Sequence, residues 1–187
     1  MIGPSMPSPI GHALAGVAFV WSVNPRTERR LVLTAAALAI LPDADLIHPD
    51  WHRAFTHSIG AVLLVSIITA VVTGWVTRRI AWRVVLLFGG AYATHLLLDW
   101  LGADFFAPYG IRALWPFDDG WYISGLDVFR QTARRHLFTL PIIMQNVKAI
   151  AQEIAILGPI VYALWLIRVK PAARLAPELT SGHHPAE

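Results

Sequence analysis

Residues 81–101 read AWRVVLLFGGAYATHLLLDWL, with Arg83 and Asp99 the only formally charged side chains. As a helix this stretch reaches about 30 Å, the thickness of a bilayer's hydrocarbon core. Residues 57–76, HSIGAVLLVSIITAVVTGWV, carry no formal charge and reach as far. A third apolar run, roughly 150–168, holds only Glu153 before Arg168 and Lys170. Working outward, two shorter stretches occupy 9–23 and 29–41, each spanning about 20 Å if helical. They read as two short spans, with a helical hairpin dipping partway into the bilayer as the alternative. Pro25 separates them, Pro42 ends the second, and Arg78-Arg79 divides the next two. The expected architecture is therefore all-α, a polytopic membrane helical bundle of about five membrane helices. It forms one unit over residues 1–170, with 171–187 as a disordered tail.

Composition agrees. The 187 residues are 56% hydrophobic and 14% charged, where a soluble domain carries about a quarter charged residues. No cysteine is present, which excludes thiolate metal sites, disulfides and a cysteine nucleophile. A formal charge of +3 with scattered arginines argues against a nucleic-acid partner. The basic residues flank the apolar runs instead, where topology signals lie. No Lys or Arg precedes the first apolar stretch in this sequence, so an uncleaved first helix with an extracytoplasmic N-terminus is expected.

Orientation follows from the same residues. With Arg26, Arg29 and Arg30 in the cytoplasm, five alternating helices also bring Arg78, Arg79, Arg83, Arg168, Lys170 and Arg174 to that side. Nine of the 15 Lys and Arg residues then lie on three short inner segments, as the positive-inside rule requires. The long connection 102–149 falls outside. Its Phe105, Phe106, Tyr109, Trp115, Phe117, Trp121 and Tyr122 suit a membrane interface. Within it, residues 126–139 are expected to form an amphipathic interfacial helix carrying Arg130, Arg134 and Arg135.

That topology gathers seven metal-ligating side chains at the outer face: His12, Asp43, Asp45, His52, His57, His95 and Asp99. His95 and Asp99 are four apart, share a helix face and can grip one ion. Imidazole with carboxylate suits zinc, and also manganese or iron. Asp43 and Asp45 follow a proline and offer bridging or supporting oxygens. His52 and His57 bracket a short turn with Thr56 and Ser58 beside them. Each feature also has a plainer reading: His12 as an interfacial residue, Asp-x-Asp as a helix stop, His95 with Asp99 as a buried structural pair. An ionised Asp inside an apolar span is costly, however, and by default marks a functional site. Seven candidates exceed the three or four protein ligands of one catalytic zinc, so one or two ions fit. Asp45 and His52 are carried forward as general acid or base candidates, with Asp43 also open.

The order His12, Pro42-Asp43-Ala44-Asp45, His52-Arg53-x-x-Thr56-His57-Ser58, His95-x-x-x-Asp99 and Trp115-Pro116-Phe117 resembles the YdjM-like family of membrane-bound proteins classed as metal-dependent hydrolases. The resemblance covers roughly residues 10–130 and implies an inner-membrane hydrolase. A fainter likeness reaches the zinc-dependent phospholipase C and single-strand nuclease family. By that likeness Asp43, His57, His95 and Asp99 hold one metal, and Asp99 bridges to a second held by His12. That family's further His and His-x-x-x-Glu pair is missing, which argues against nuclease activity.

The leading functional expectation is hydrolysis of a lipid-linked or amphiphilic phosphoester by metal-activated water at the outer face. Arg53, Arg112, Arg130 and Arg134 are candidates to receive an anionic headgroup. Two alternatives belong to other classes: a metal that only staples a structural or regulatory protein, and a metal-ion transporter. Transporters place binding groups near the midplane on broken helices, whereas these ligands cluster at one end.

Overall fold

The computed structural model describes residues 7–47, 53–133 and 135–173. Helix α1 spans Pro9–Val23 and α2 Arg29–Ile40, followed by a 3₁₀ turn at Leu41–Ile47. Helix α3 spans Ile59–Thr77 and α4 Trp82–Leu101. Helix α5 spans Leu140–Leu164 and runs on through a widened turn, Trp165–Val169. Among the described residues α3, α4 and the run Leu140–Ala173 are long and apolar enough to cross a membrane; α1 is apolar but shorter.

Local signals fix the helix ends. Ser8 caps α1 by accepting the Gly11 N–H, and Pro9 occupies the first turn, where its missing N–H costs nothing. Ser58 caps α3 by accepting the Ala61 N–H at 3.2 Å. Inside α3, Ser66 and Thr69 donate their hydroxyls to the carbonyls one turn back, both at 2.8 Å. Lipid offers these groups no partner, so the helix supplies its own.

Helix α4 is the central element: half of its apolar window is buried, whereas α3 is almost bare. Leu64, Ile67, Val71 and Trp75 on α3 are all exposed and form a lipid-facing surface. Helix α1 packs on α2, α4 and α5, and α2 also packs on α4. Val20, Val32, Ala35, Leu87 and Ala91 interlock where α1, α2 and α4 meet. Close backbone approach draws α1 and α2 together: a Cβ at Gly16 would sit 2.8 Å from the Ala39 Cβ. Small residues commonly occupy such crossings, because lipid gives helices no hydrophobic reason to associate and contact must do it.

The connection between α4 and α5 departs from the sequence-based expectation. No helix forms over the described residues of 126–139. The chain from 128 to 133 runs extended instead, and α5 satisfies its backbone. Gln152 Oε1 accepts the Arg130 N–H at 3.0 Å, and Asn146 Oδ1 accepts the Ala133 N–H at 2.7 Å. Gln145 Nε2 donates to the Gln131 carbonyl at 3.2 Å, and Gln152 Nε2 donates to that of Val128, also at 3.2 Å. These side chains give the segment what a helix would have taken from itself. They also explain why α5 begins ten residues before the expected 150: one face of its first half serves the loop. The helical run covers 34 residues, about 50 Å against a hydrocarbon core of about 30 Å. Its other end reaches Ala173, so the tail expected from 171 begins inside helix; residues 174–187 lie outside those described.

The loop also closes over the start of α3. The carbonyls of Ala113 and Trp115 accept the Ile59 and Gly60 N–H groups at 2.8 and 2.9 Å. Arg53 and Asp104 form a buried ion pair beneath it, and Asp104 accepts the Gly110 N–H at 2.7 Å. The loop is thus bound to the elements that carry the His/Asp residues.

Candidate metal centre

The start of α1, the turn after α2, the approach to α3 and the end of α4 converge at one end of the bundle. They bring His12, Asp43, His57, His95 and Asp99 together. Two overlapping groups result, His12 with His95 and Asp99, and Asp43 with His57 and His95; within each, one ligand atom per residue lies within 4.8 Å of the others. His12, His57 and His95 are fully buried and Asp99 is 1% exposed. Nothing in the apolar pattern of α1 or α4 requires four such groups to be buried side by side.

Hydrogen bonding fixes which imidazole nitrogens are available. His95 Nδ1 lies 2.8 Å from the Ala39 carbonyl, which only accepts, so Nδ1 carries the proton and Nε2 keeps a lone pair. His57 Nδ1 lies 3.2 Å from Asp45 Oδ2 and 3.0 Å from the Thr56 hydroxyl. That Asp45 oxygen also accepts the Thr56 hydroxyl proton and the Arg53 N–H, the latter at 3.1 Å. With His57 Nδ1–H directed at the carboxylate, its Nε2 presents a lone pair as well.

With both rings neutral, the two lone pairs face each other. His57 Nε2 and His95 Nε2 are 3.0 Å apart, and Asp99 Oδ2 lies 3.3 and 3.2 Å from them. Asp43 Oδ1 stands 3.9 Å from both nitrogens. Two imidazole lone pairs and two carboxylates facing one buried point repel one another unless a cation is shared among them. His12 extends the set. Its ring stacks on His95 with centroids 3.7 Å apart, and its Nε2 lies 3.4 Å from Asp99 Oδ1. Among the described residues His12 Nδ1 has no hydrogen-bond partner, and His12 Nε2 and Asp99 Oδ1 have only their long, poorly aligned contact with each other, whereas buried polar atoms are usually well bonded. The donor set fits a divalent metal on these grounds.

The remaining sequence candidates fall elsewhere. Asp45 lies behind His57 as the carboxylate that orients its ring, not among the facing ligand atoms. His52, which was expected as ligand and catalytic residue, lies outside the described residues, as does Arg134. Arg53 was expected to bind substrate, but its buried guanidinium is committed to Asp104. Arg112 pairs with the exposed Asp119 and lies over the Phe55 ring at 6.0 Å. Arg130 is exposed on the extended segment.

Glu153 is the residue that sequence reasoning underused. Fully buried, it accepts the Ser8 N–H at 2.7 Å, the Gly11 N–H at 3.1 Å and the Ser8 hydroxyl. It therefore holds the first turn of α1, the turn that carries His12. The signal was available, since a carboxylate in an apolar run is as costly on α5 as on α4. Tyr92 was also missed; its hydroxyl donates to the Thr56 carbonyl at 2.7 Å and ties the His57 turn to α4.

Fold and site together define a helical membrane protein with a buried His/Asp cluster suited to a metal ion. The family model of the YdjM inner membrane protein matches residues 6–173, and the chain belongs to that family. An inner-membrane location follows from membership and from the apolar helices. No curated protein and no solved structure matches the chain, so the fainter phospholipase C likeness rests on residue order alone.

Proposed function

We propose that this protein is a metal-dependent hydrolase of the inner membrane, acting at its outer face on a lipid-linked or amphiphilic phosphoester. The observation that carries this reading is the pair of opposed imidazole lone pairs on His57 and His95, 3.0 Å apart beside Asp99. Zinc is the proposed ion, since three imidazoles and carboxylates are its usual ligands. His12, His57, His95, Asp99 and Asp43 would hold it. When bound, zinc supplies Lewis acidity to a phosphoryl oxygen and to an attacking water. Asp45 keeps the His57 ring in the tautomer that ligation needs, and Ala39 does the same for His95. Where Asp43, which stands further from both nitrogens than Asp99 does, is left unligated, it would serve as the acid or base. The outer-face assignment is supported by the arginines that flank the other ends of these helices.

A second reading has its own observation. The ligand histidines are wholly buried, as in structural metal sites, which close around their ion. In that case the metal staples α1, α3 and α4 and no bond is cleaved. Elemental analysis of the purified protein, with a lipid and phosphoester hydrolysis screen, separates the two readings. A hydrolase shows about one or two zinc per chain and turnover that Asp99→Asn abolishes with the helices intact. A staple shows zinc without turnover, and Asp99→Asn unfolds. Metal-free protein after mild purification sinks both.

A further inference from the structure

Beside the extended segment lies a cleft of about 720 Å³ that the metal centre does not use. One wall is a face of the outer half of α5, where Pro141, Gln145, Lys148 and Gln152 succeed each other at three- and four-residue steps and Met144 lies one turn before Lys148. The opposite wall is Phe105 and the 127–131 chain. Gln145 and Gln152 are already bonded to the backbone of that chain, so the two walls are tied together and the cleft is preformed. Lys148 lies between them on the same helix face. Lys148 and Arg130 both line the cleft, both are exposed, and neither forms a salt bridge among the described residues. Asp127 also lines it, which leaves a net single positive charge. Phe105 is 67% and Met144 48% exposed, so apolar surface adjoins the cations.

We propose that this cleft binds the phosphate-bearing headgroup of an anionic amphiphile, with Arg130 and Lys148 on the phosphate and Phe105 and Met144 against the apolar body. The volume falls in the range of small-molecule sites, about 300–1,000 Å³. Cation-to-phosphate hydrogen bonds are about twice as strong as neutral ones, and Arg130 offers a planar fork where Lys148 offers a point charge. The 34-residue helical run exceeds what hydrocarbon thickness demands, which sets its first turns and the cleft beside them at headgroup level. The inference deepens the proposed function by assigning its headgroup subsite, and rests on that reading for the fate of the lipid but not for its binding.

Native mass spectrometry of the detergent-solubilised full chain tests it with three probes: phosphatidylglycerol, phosphatidylcholine and inorganic phosphate. Phosphatidylglycerol is expected to bind in preference to phosphatidylcholine. The double variant Arg130→Gln with Lys148→Gln is expected to weaken it about tenfold or more, the loss of two charge-assisted contacts. The charge-keeping pair Arg130→Lys with Lys148→Arg restores most of the binding, and a neutralised Arg78 and Arg79 pair leaves it unchanged. Competition by inorganic phosphate identifies the headgroup phosphate alone as the recognised group; its failure to compete assigns recognition to the whole amphiphile. The same binding is expected in Asp99→Asn. Equal binding of the two lipids, or a correctly folded double variant that binds as wild type, overturns the assignment. A blank hydrolysis screen leaves it standing, and its own failure leaves the metal centre as it was.

Discussion

Glu153 on α5 and Gly11 on α1 meet with no room between them: the carboxylate accepts the Gly11 N–H at 3.1 Å, and a Cβ there would lie 2.7 Å from Oε2. The contact locks the turn that presents His12. Glu153→Ala leaves the Ser8 N–H without its acceptor, at about 1–3 kcal/mol for a buried group, and the Gly11 N–H with only the longer bond to Ser8 Oγ, 3.4 Å. Zinc affinity should fall about tenfold, as for other groups that orient a ligand from behind. Glu153→Gln, which keeps one acceptor oxygen, falls between, and Gly11→Ala resembles Glu153→Ala. Thermal unfolding in detergent together with a zinc titration checks this. Wild-type affinity in a folded Glu153→Ala protein removes the positioning role.

Asp45 supports rather than ligates. Asp45→Asn is therefore expected to retain metal while weakening it about 10–100-fold. Thr56→Val, which removes one of the groups facing His57 Nδ1 but leaves the carboxylate, weakens it less. A chelating dye competed against each variant gives the order. Complete loss of metal in Asp45→Asn would instead make that carboxylate a ligand.

The Arg53–Asp104 pair holds the loop over the site, with side chains only 9% and 0% exposed. Arg53→Ala abandons a buried carboxylate, a change that costs about 3–5 kcal/mol in comparable pairs. Lower unfolding temperature and faster proteolysis between residues 104 and 111 are the expected readouts. Arg53→Lys recovers part of the loss, because an ammonium supplies charge without the guanidinium's geometry.

Orientation has a clean assay, because the sequence contains no cysteine. Single substitutions Ser124→Cys and Thr77→Cys lie toward opposite ends of the bundle. In intact cells a membrane-impermeant thiol reagent should label Ser124→Cys and spare Thr77→Cys. The reverse pattern would invert the proposed topology.

The helices were legible where one stretch contained all the information. Helices α3 and α4 carry their spans in unbroken apolar runs, and α1 matches the shorter apolar stretch at 9–23. The region 126–139 was misread because its spaced arginines imitate an amphipathic helix. What holds it extended is Gln145, Asn146 and Gln152, partners 13 to 24 residues away, and local periodicity cannot register them. The same polar residues disguised the true start of α5. The site was legible further than its parts deserved. His12 alone is a weak signal, yet alternation of the helices brings it to the same face as His95. The division of labour between Asp43 and Asp45 was not legible, since two carboxylates on one turn differ only in which side of His57 they meet.

The bond from His95 to the Ala39 carbonyl has a further effect. With Nδ1 engaged there, His95 retains a single lone pair, yet it belongs to both groups of the cluster. A single lone pair serves one ion at a time. Were each group to take an ion, both would call on His95, and only one could have its nitrogen. A metal titration is then expected to show a second ion binding more weakly than the first, completed by residues besides His95.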